Sequence, residues 1–177
     1  MLRFFAHLVL VLRKLEQPLP EYAANKILEA YVKVLEAHDQ DESLIAFYAS
    51  HLSDASAIES YARFLQTFGP ETDLGARQAA LLKAREHGLD LRKIACRTVE
   101  LVLSSIRDEL FEMSTGSAFD AYVGLTVRET ELIRSLEWLV FDRSTYPEAL
   151  SQANALVRYF LCTFRRPAQA LPLRYNG

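Results

Sequence analysis

Apolar residues recur at intervals of three and four along almost the whole chain, which is the period of an α-helix that buries one face. Proline, glycine and short polar turns interrupt this pattern, and no stretch alternates apolar and polar residues as a half-buried strand does. The interruptions are about two to six residues long, so consecutive helices are expected to lie antiparallel. The pattern therefore predicts an all-α chain of stacked helical hairpins.

The composition supports long helices rather than a turn-rich β fold. Leucine and alanine contribute 28 and 22 of the 177 residues, whereas glycine and proline contribute 6 each. Barrels and sandwiches need many tight turns and are therefore disfavoured. Half of the residues are hydrophobic, which is enough for a sizeable core and excludes a wholly disordered chain.

Turn and cap residues divide the chain into eight predicted helices. Gly88 is expected at the C-terminal cap of the fifth helix, and Asp90 at the N-cap of the sixth. The segments 126–129 and 145–148 both have the capping-box pattern of threonine followed three residues later by glutamate. Residues 113–125 are predicted to form a loop. The predicted helices are 2–16, 21–37, 43–52, one from 54 or 56 to 68, 71–87, one that follows position 90, 126 to about 142, and one that begins near 145.

These helices differ widely in length and carry no tetratricopeptide or ankyrin repeat, which favours an irregular α-solenoid over a symmetric bundle. The first helix is apolar around nearly its whole circumference between Phe4 and Leu12. Such a helix is normally internal, and a terminal solenoid repeat needs a polar outer face. We therefore expect residues 1–177 to form a single helical segment of a longer chain, or a chain with a large partner. The alternative is a compact domain with its N-terminal helix at the centre.

The same reasoning selects candidate partner contacts in the first helix and in the C-terminal tail. The arginine pair that begins the tail could meet an acidic patch, although the dipole of the preceding helix also favours cations there for structural reasons. The rest of the tail is apolar enough to dock but too short to form an element. The candidates are Phe4, Leu8, Val11, Arg165, Arg166, Leu171, Leu173 and Tyr175.

Charge and cysteine content limit the environment and the partners. The net charge is −3 with acidic and basic residues interspersed, so no basic field is present to bind nucleic acid. Cys96 and Cys162 do not make a secreted disulfide framework, which favours the reducing cytosol or nucleus. The nine-residue apolar run 4–12 is too short to span a bilayer and lacks a signal-peptide cleavage site. Direct membrane insertion is therefore not expected.

The histidines and acidic residues do not form a metal-binding or cofactor-binding motif. The four histidines share no helical turn with one another or with a cysteine, so no zinc site is predicted. Asp39 and Asp41 are spaced like the start of a calcium loop, but Leu44 and Ser50 stand where glycine and glutamate are required. His7 is expected to be a hydrogen-bonded core residue. No metal and no cofactor are predicted.

No constellation of catalytic residues is recognisable, so the chain is not predicted to be an enzyme. Cys96 and Cys162 both lie inside helices and are interpreted as structural, although a neighbouring arginine could lower the pKa of the Cys96 thiol. No phosphate-binding loop or nucleophile elbow is present. The charges of Arg77, Lys83, Arg85 and Glu86 are interpreted as a solvated helix face.

Three sequence blocks resemble the nucleoporin 107 / nucleoporin 84 family, which supplies the stem of the Y-shaped coat of the nuclear pore. In this order the blocks are similar to the C-terminal half of the family, and the similarity covers nearly the whole chain in outline. It is looser between residues 71 and 125. The blocks are 2–10 (LRFFAHLVL), 44–52 (LIAFYASHL) and 136–142 (LEWLVFD), the last followed by 148–150 (EAL) and 152–155 (QANA).

The resemblance implies an α-solenoid fold and a structural role at the nuclear pore complex in the nuclear envelope, with no catalytic residue. It also implies partners. In this family the N-terminal portion contacts the hub-side stem element and the C-terminal end contacts the distal stem nucleoporin. The family sequence continues on both sides of this segment, so the remainder of its own chain is a further expected neighbour.

Three functional hypotheses follow from the residues and the resemblance. The first is a scaffold segment of a pore coat nucleoporin that acts through helix-face contacts. The second is a free-standing helical adaptor that binds a peptide or a partner helix in a groove. The third is a helical enzyme that uses Cys96 or the region between Glu137 and Asp142, and it requires a deep polar pocket around those residues.

Overall fold

The computed structural model describes residues 1–38, 42–113, 127 and 129–164, with the backbone alone at 107–113 and 162–164. Helices account for most of these residues, and none of the described residues is in a strand. The predicted all-α class is confirmed. The predicted loop 113–125 and the cap residue Thr126 fall almost entirely outside the described residues. The potential calcium-loop residues Asp39 and Asp41 also lie outside them.

The helices follow the predicted order. Their bounds are α1 Leu2–Lys14, α2 Glu21–Ala37, α3 Glu42–Ala49, α4 Asp54–Gln66, α5 Leu74–Glu86, α6 Leu91–Met113, α7 with described residues 129–135, α8 Glu137–Val140, a 3₁₀ turn Arg143–Thr145, and α9 Tyr146–Phe164.

The helices pack mainly on neighbours in the chain. Helix α1 lies against α2, α2 against α3 and α4, and α3 against α4 and α5; α4 then packs extensively on α6, which contacts α8. The main core extends from α1 to α8, and a smaller cluster joins α6, α7 and α9. This order is compatible with a stacked helical array. Among the described helices none is long and apolar enough to cross a membrane.

Two of the largest buried side chains, Trp138 and Tyr61, lie in the main core. Trp138 is 2% exposed, and Tyr61 is fully buried with its hydroxyl donating to the Ala80 carbonyl at 2.7 Å. Burial raises the pKa of the Tyr61 phenol, so this hydroxyl stays protonated and remains a donor. The hydrogen bond ties α4 to α5 inside the core.

Arg77 is buried, so the interpretation that it belongs to a solvated face is wrong. It is 2% exposed and donates to the carbonyls of Phe68 at 3.2 Å, Gly69 at 2.8 Å and Arg134 at 3.2 Å. Its guanidinium lies 5.1 Å from the ring centroid of Trp138. Burial lowers the pKa of Arg77, and its guanidinium donates to carbonyls at two helix ends. The side chains of Lys83, Arg85 and Glu86 are substantially exposed, at 39%, 58% and 58%.

The predicted seventh helix is interrupted at Leu136, which separates α7 from α8. The guanidinium of Arg77 donates a hydrogen bond to the Arg134 carbonyl near the end of α7. The buried Ser135 hydroxyl donates to the Leu132 carbonyl at 2.7 Å. Side-chain bonds of this kind compete with the helical ladder and bend it. The turn continues with an i→i+3 bond from the Leu139 amide to the Leu136 carbonyl at 3.0 Å.

The predicted caps of the fifth and sixth helices are confirmed in part. Gly88 has φ +76°, a left-handed conformation that favours glycine after a helix. The Asp90 carboxylate accepts from the Lys93 amide at 3.1 Å. Helix α5 begins at Leu74 rather than at 71, because Asp73 caps it by accepting from the Gly75 amide at 2.8 Å.

The predicted capping box at Thr145 is wrong. The Thr145 side chain is buried, and its hydroxyl donates to the carbonyls of Leu139 at 2.6 Å and Asp142 at 2.7 Å instead of accepting from a helix amide. Glu148 accepts from the Gln152 side chain at 2.7 Å. Thr145 therefore joins the end of α8 to the start of α9.

Candidate interaction surface

Helix α1 has two apolar faces. Ala6 and Val9 are buried on the inner face, which packs on α2. The other face carries large apolar side chains spaced alternately three and four residues apart, the spacing of a coiled-coil seam. We call this face the outer stripe; it consists of Met1, Phe4, Leu8, Val11 and Leu15.

The outer stripe is open to solvent in the described structure. Phe4, Leu8 and Val11 are 64%, 39% and 52% exposed, and Phe5, beside the stripe, is 46% exposed. At 1.5 Å per residue the stripe is about 21 Å long. A contiguous apolar surface of this kind marks a site of protein interaction or ligand binding, whereas single exposed apolar residues are ordinary.

Arg13 fixes the C-terminal end of α1 to the rest of the fold. Its guanidinium donates to Glu21 at 2.7 Å, to Asn25 at 3.0 Å and to the backbone carbonyl of His51. These partners belong to the start of α2 and to the turn between α3 and α4. The outer stripe therefore lies on a helix whose position is set by polar contacts as well as by its buried face.

His7 holds the middle of α1 against α3. Its Nδ1 lies 2.6 Å from the Arg3 carbonyl, and its Nε2 lies 3.2 Å from the Tyr48 hydroxyl. A carbonyl only accepts, so Nδ1 carries the proton and, in the neutral ring, Nε2 accepts from Tyr48. Burial raises the pKa of the Tyr48 phenol, which keeps that donor protonated. His7 is hydrogen-bonded as predicted, but it is exposed, so its assignment to the core is wrong.

Basic residues border one side of the outer stripe. Arg3, His7 and Lys14 are four and seven residues apart, which places them on one side of the helix between the core face and the stripe. Helix α1 contains no acidic residue. Within the described part of the chain, no carboxylate lies within ion-pair distance of Arg3 or Lys14. We call these three residues the basic flank.

The structure brings together the three predicted contacts in α1 and leaves the others untested. Phe4, Leu8 and Val11 share one continuous face. The sequence reasoning missed Met1 and Leu15 at the ends of that face, although the three-and-four spacing identifies them. The remaining candidates lie outside the described residues, and they are Arg165, Arg166, Leu171, Leu173 and Tyr175.

The residues considered for catalysis have structural partners where they are described. Burial raises the pKa of the half-buried Cys96 thiol, which lowers its nucleophilicity at neutral pH. Glu137 pairs with Arg134 at 3.1 Å. Asp142 accepts from the Ser144 amide at 2.8 Å, and hydrogen bonds from Ser144 lower the pKa of its carboxyl group.

The described residues contain no group of three or more histidine, cysteine, aspartate or glutamate side chains that could hold a metal ion. The side chain of Cys162 lies outside the description. The apolar face of α1 with its basic border is therefore a candidate site in the described part of the chain. This arrangement is typical of helical proteins that act by binding other proteins.

Comparison with known sequences identifies the family. The family model for "Nuclear pore protein 84 / 107" matches residues 1–170, so the chain belongs to this family, as its sequence blocks predicted. It is 33% identical over 168 residues to nuclear pore complex protein Nup107 of Homo sapiens, covering 95% of this chain and 18% of that protein.

More distant relatives match over the same extent. The chain is 32% identical over 163 residues to Nup107 of Drosophila melanogaster, covering 92% of this chain and 18% of the relative. It is 31% identical over 166 residues to nucleoporin nup107 of Schizosaccharomyces pombe, covering 91% of this chain and 19% of the relative. The chain thus spans less than a fifth of the length of these curated relatives.

Proposed function

We propose that this chain is a structural scaffold segment of the nuclear pore complex. Its membership of the Nuclear pore protein 84 / 107 family and the names of its relatives support a place in the pore at the nuclear envelope. The all-helical fold supports an α-solenoid that acts by helix-mediated contacts. In this proposal the segment helps to hold the Y-complex stem together and so supports protein and mRNA transport. The proposal includes no catalytic step and no contact with nucleic acid or lipid.

The observation that carries the proposal is the second apolar face of α1. A helix that is buried on one side and presents a 21 Å apolar stripe (about 1.5 Å per residue) on the other has a surface suited to a further helix. The partners we propose are the hub-side stem element, the distal stem nucleoporin and the remainder of a longer chain. We propose the C-terminal candidates, from Arg165 to Tyr175, as a second contact region.

The test is a charge placed on the outer stripe of the full-length protein. Val11→Asp should reduce co-purification with the other Y-complex nucleoporins and weaken the nuclear-rim signal of a fluorescently tagged protein. Val34→Asp is the control, because it changes the same residue type at an exposed position, 39% against 52%, on α2, with no exposed large apolar side chain one turn away. Normal assembly of the Val11→Asp protein would contradict the proposal.

One observation favours the adaptor as a second candidate function. An apolar cleft of about 290 Å³ lies between α6, α7 and α9, with Leu103, Ile106, Leu132 and Leu156 in its walls. Saturable binding of short linear peptides that is lost on Leu103→Asp would support a groove-binding adaptor. Binding that depends on Val11 instead would support the scaffold.

A further inference from the structure

The outer stripe is bordered by charge of a single sign on one side only. Going around α1, the order is the buried face, the basic flank, the outer stripe and then Phe5, which leads back to the buried face. The stripe therefore has one basic edge and one apolar edge. A partner that covers the stripe would bring its own side chains close to Arg3 and Lys14.

We propose that the outer stripe binds an amphipathic helix of another polypeptide chain, and that this helix carries carboxylates along the edge that meets the basic flank. This inference rests on the proposed scaffold function and adds the chemistry of the partner. Arg3 and Lys14 have no described carboxylate partner, so a docked helix with acidic residues there would supply the missing counter-charges.

The geometry of α1 sets the spacing of those carboxylates. Arg3 and Lys14 are eleven residues apart, or about 16 Å along the axis. A helix that packs nearly parallel or antiparallel in the seam would therefore carry acidic residues about eleven positions apart. Its apolar residues would alternate three and four positions apart, in register with the stripe. The bond from Nδ1 of His7 to the Arg3 carbonyl and its contact with Tyr48 hold the middle of the flank in place.

A second copy of this chain is a poor occupant. In an antiparallel pair of α1 helices Arg3 of one copy would approach Lys14 of the other, and in a parallel pair the basic flank of each copy would face the apolar edge of the other, which carries Phe5. The antiparallel arrangement places like charges together, which destabilises a helical pair, and the parallel arrangement supplies no counter-charge to either flank. The basic flank thus selects against self-association at the stripe and for an acidic partner.

The test compares two synthetic helical peptides with the same three-and-four leucine seam. One carries glutamates along one edge with the eleven-residue spacing, and the other carries lysines at the same positions. Fluorescence anisotropy with the full 177-residue chain at low salt should show about tenfold tighter binding of the acidic peptide, from two exposed ion pairs gained and two like-charge contacts avoided. The preference should shrink at 0.5 M salt because these charges are exposed.

Non-specific attraction would give the opposite order, because the chain carries a net charge of −3. The double variant Arg3→Glu/Lys14→Glu should invert the preference, whereas Val11→Asp should abolish binding of both peptides. Val34→Asp should leave the preference unchanged. Equal affinities, or a preference that survives the charge reversal, would overturn the assignment, as would the absence of saturable binding.

Two further outcomes identify a different occupant and also overturn the assignment. Concentration-dependent dimers that Val11→Asp disrupts, detected by light scattering, would indicate a second copy. Binding of the acidic peptide by the 177-residue chain but not by the full-length protein would indicate a segment of the same longer chain. If the peptides are not distinguished but Val11→Asp still impairs assembly of the full-length protein, the charge rule fails and the scaffold function stands.

Discussion

Replacing the buried guanidinium of Arg77 with an apolar side chain of similar length should destabilise the fold strongly. Arg77→Met keeps most of the packing but leaves the carbonyls of Phe68, Gly69 and Arg134 without this donor. An unsatisfied buried acceptor costs about 1 kcal/mol or more, and the contact with the Trp138 ring contributes about another 1 kcal/mol. The Arg77→Met protein no longer has the desolvation cost of burying a charged guanidinium, and this offsets part of the loss. We expect the free energy of unfolding to fall by about 3 kcal/mol.

The assay is urea unfolding followed by circular dichroism and by tryptophan fluorescence. Trp138 is the only tryptophan and lies against the guanidinium, so its emission reports directly on this site. Arg77→Lys should lose about half as much stability, because one ammonium cannot reach carbonyls on two elements as the guanidinium fork does.

Arg85→Met is the control for Arg77. It removes an arginine from the same helix α5, but that arginine is 58% exposed and pairs with Asp142 at the surface. An exposed ion pair contributes less than about 1 kcal/mol, so the change should be small. If Arg77→Met lowers stability no more than Arg85→Met does, the account of Arg77 as the donor that joins α5 to the α4–α5 turn and to α7 is refuted.

Three further substitutions test the remaining local interactions. Thr145→Val should cost about 1–2 kcal/mol of stability, because it deletes a buried hydroxyl that donates to two carbonyls, while Thr145→Ser should keep most of it. Hydrogen bonding from Arg97 lowers the pKa of Glu59, so its stabilising contribution is present above the ordinary pKa near 4.5 and is lost as the pH falls towards the lowered value. Glu59→Gln should therefore flatten the acid limb of the stability profile, measured by urea midpoints at pH 7 and pH 4. Glu16 follows α1 with φ 52°, a left-handed conformation that favours glycine. Glu16→Gly should therefore increase the free energy of unfolding by about 0.5–1 kcal/mol, which a higher melting temperature would show.

Much of the fold could be predicted because the signals that set it are local. Apolar residues at helical spacing predicted the helices, and Gly88 and Asp90 fixed the junction of α5 and α6 because a left-handed residue and a capping carboxylate act within one turn. The family resemblance rested on short apolar blocks that form parts of α1, α3 and α8. These elements need little information about distant residues.

The errors concern residues whose roles depend on distant partners. Arg77 looks like any surface arginine, because nothing in its own helix shows that carbonyls from two helix ends converge on it. The break at Leu136 has the same origin. Thr145 matches a capping box in spacing, but its burial beneath α8 turns the hydroxyl towards other carbonyls.

The outer stripe could be predicted only in part. The sequence showed that α1 is apolar all round, but packing on α2 decided which side remains open. The basic flank was not recognised, because Arg3, His7 and Lys14 come together as one edge only once the buried face is known.

The most direct test of the central claim is side-chain footprinting of Phe4 in the assembled pore complex and in the isolated chain. Phe4 is 64% exposed in the isolated fold, so hydroxyl-radical labelling should be strong there. The account predicts that assembly protects Phe4 several-fold, while Tyr22, an exposed aromatic residue on α2 outside the stripe, keeps its labelling. Equal labelling of Phe4 in both states would show that the outer stripe is not a contact surface of the scaffold.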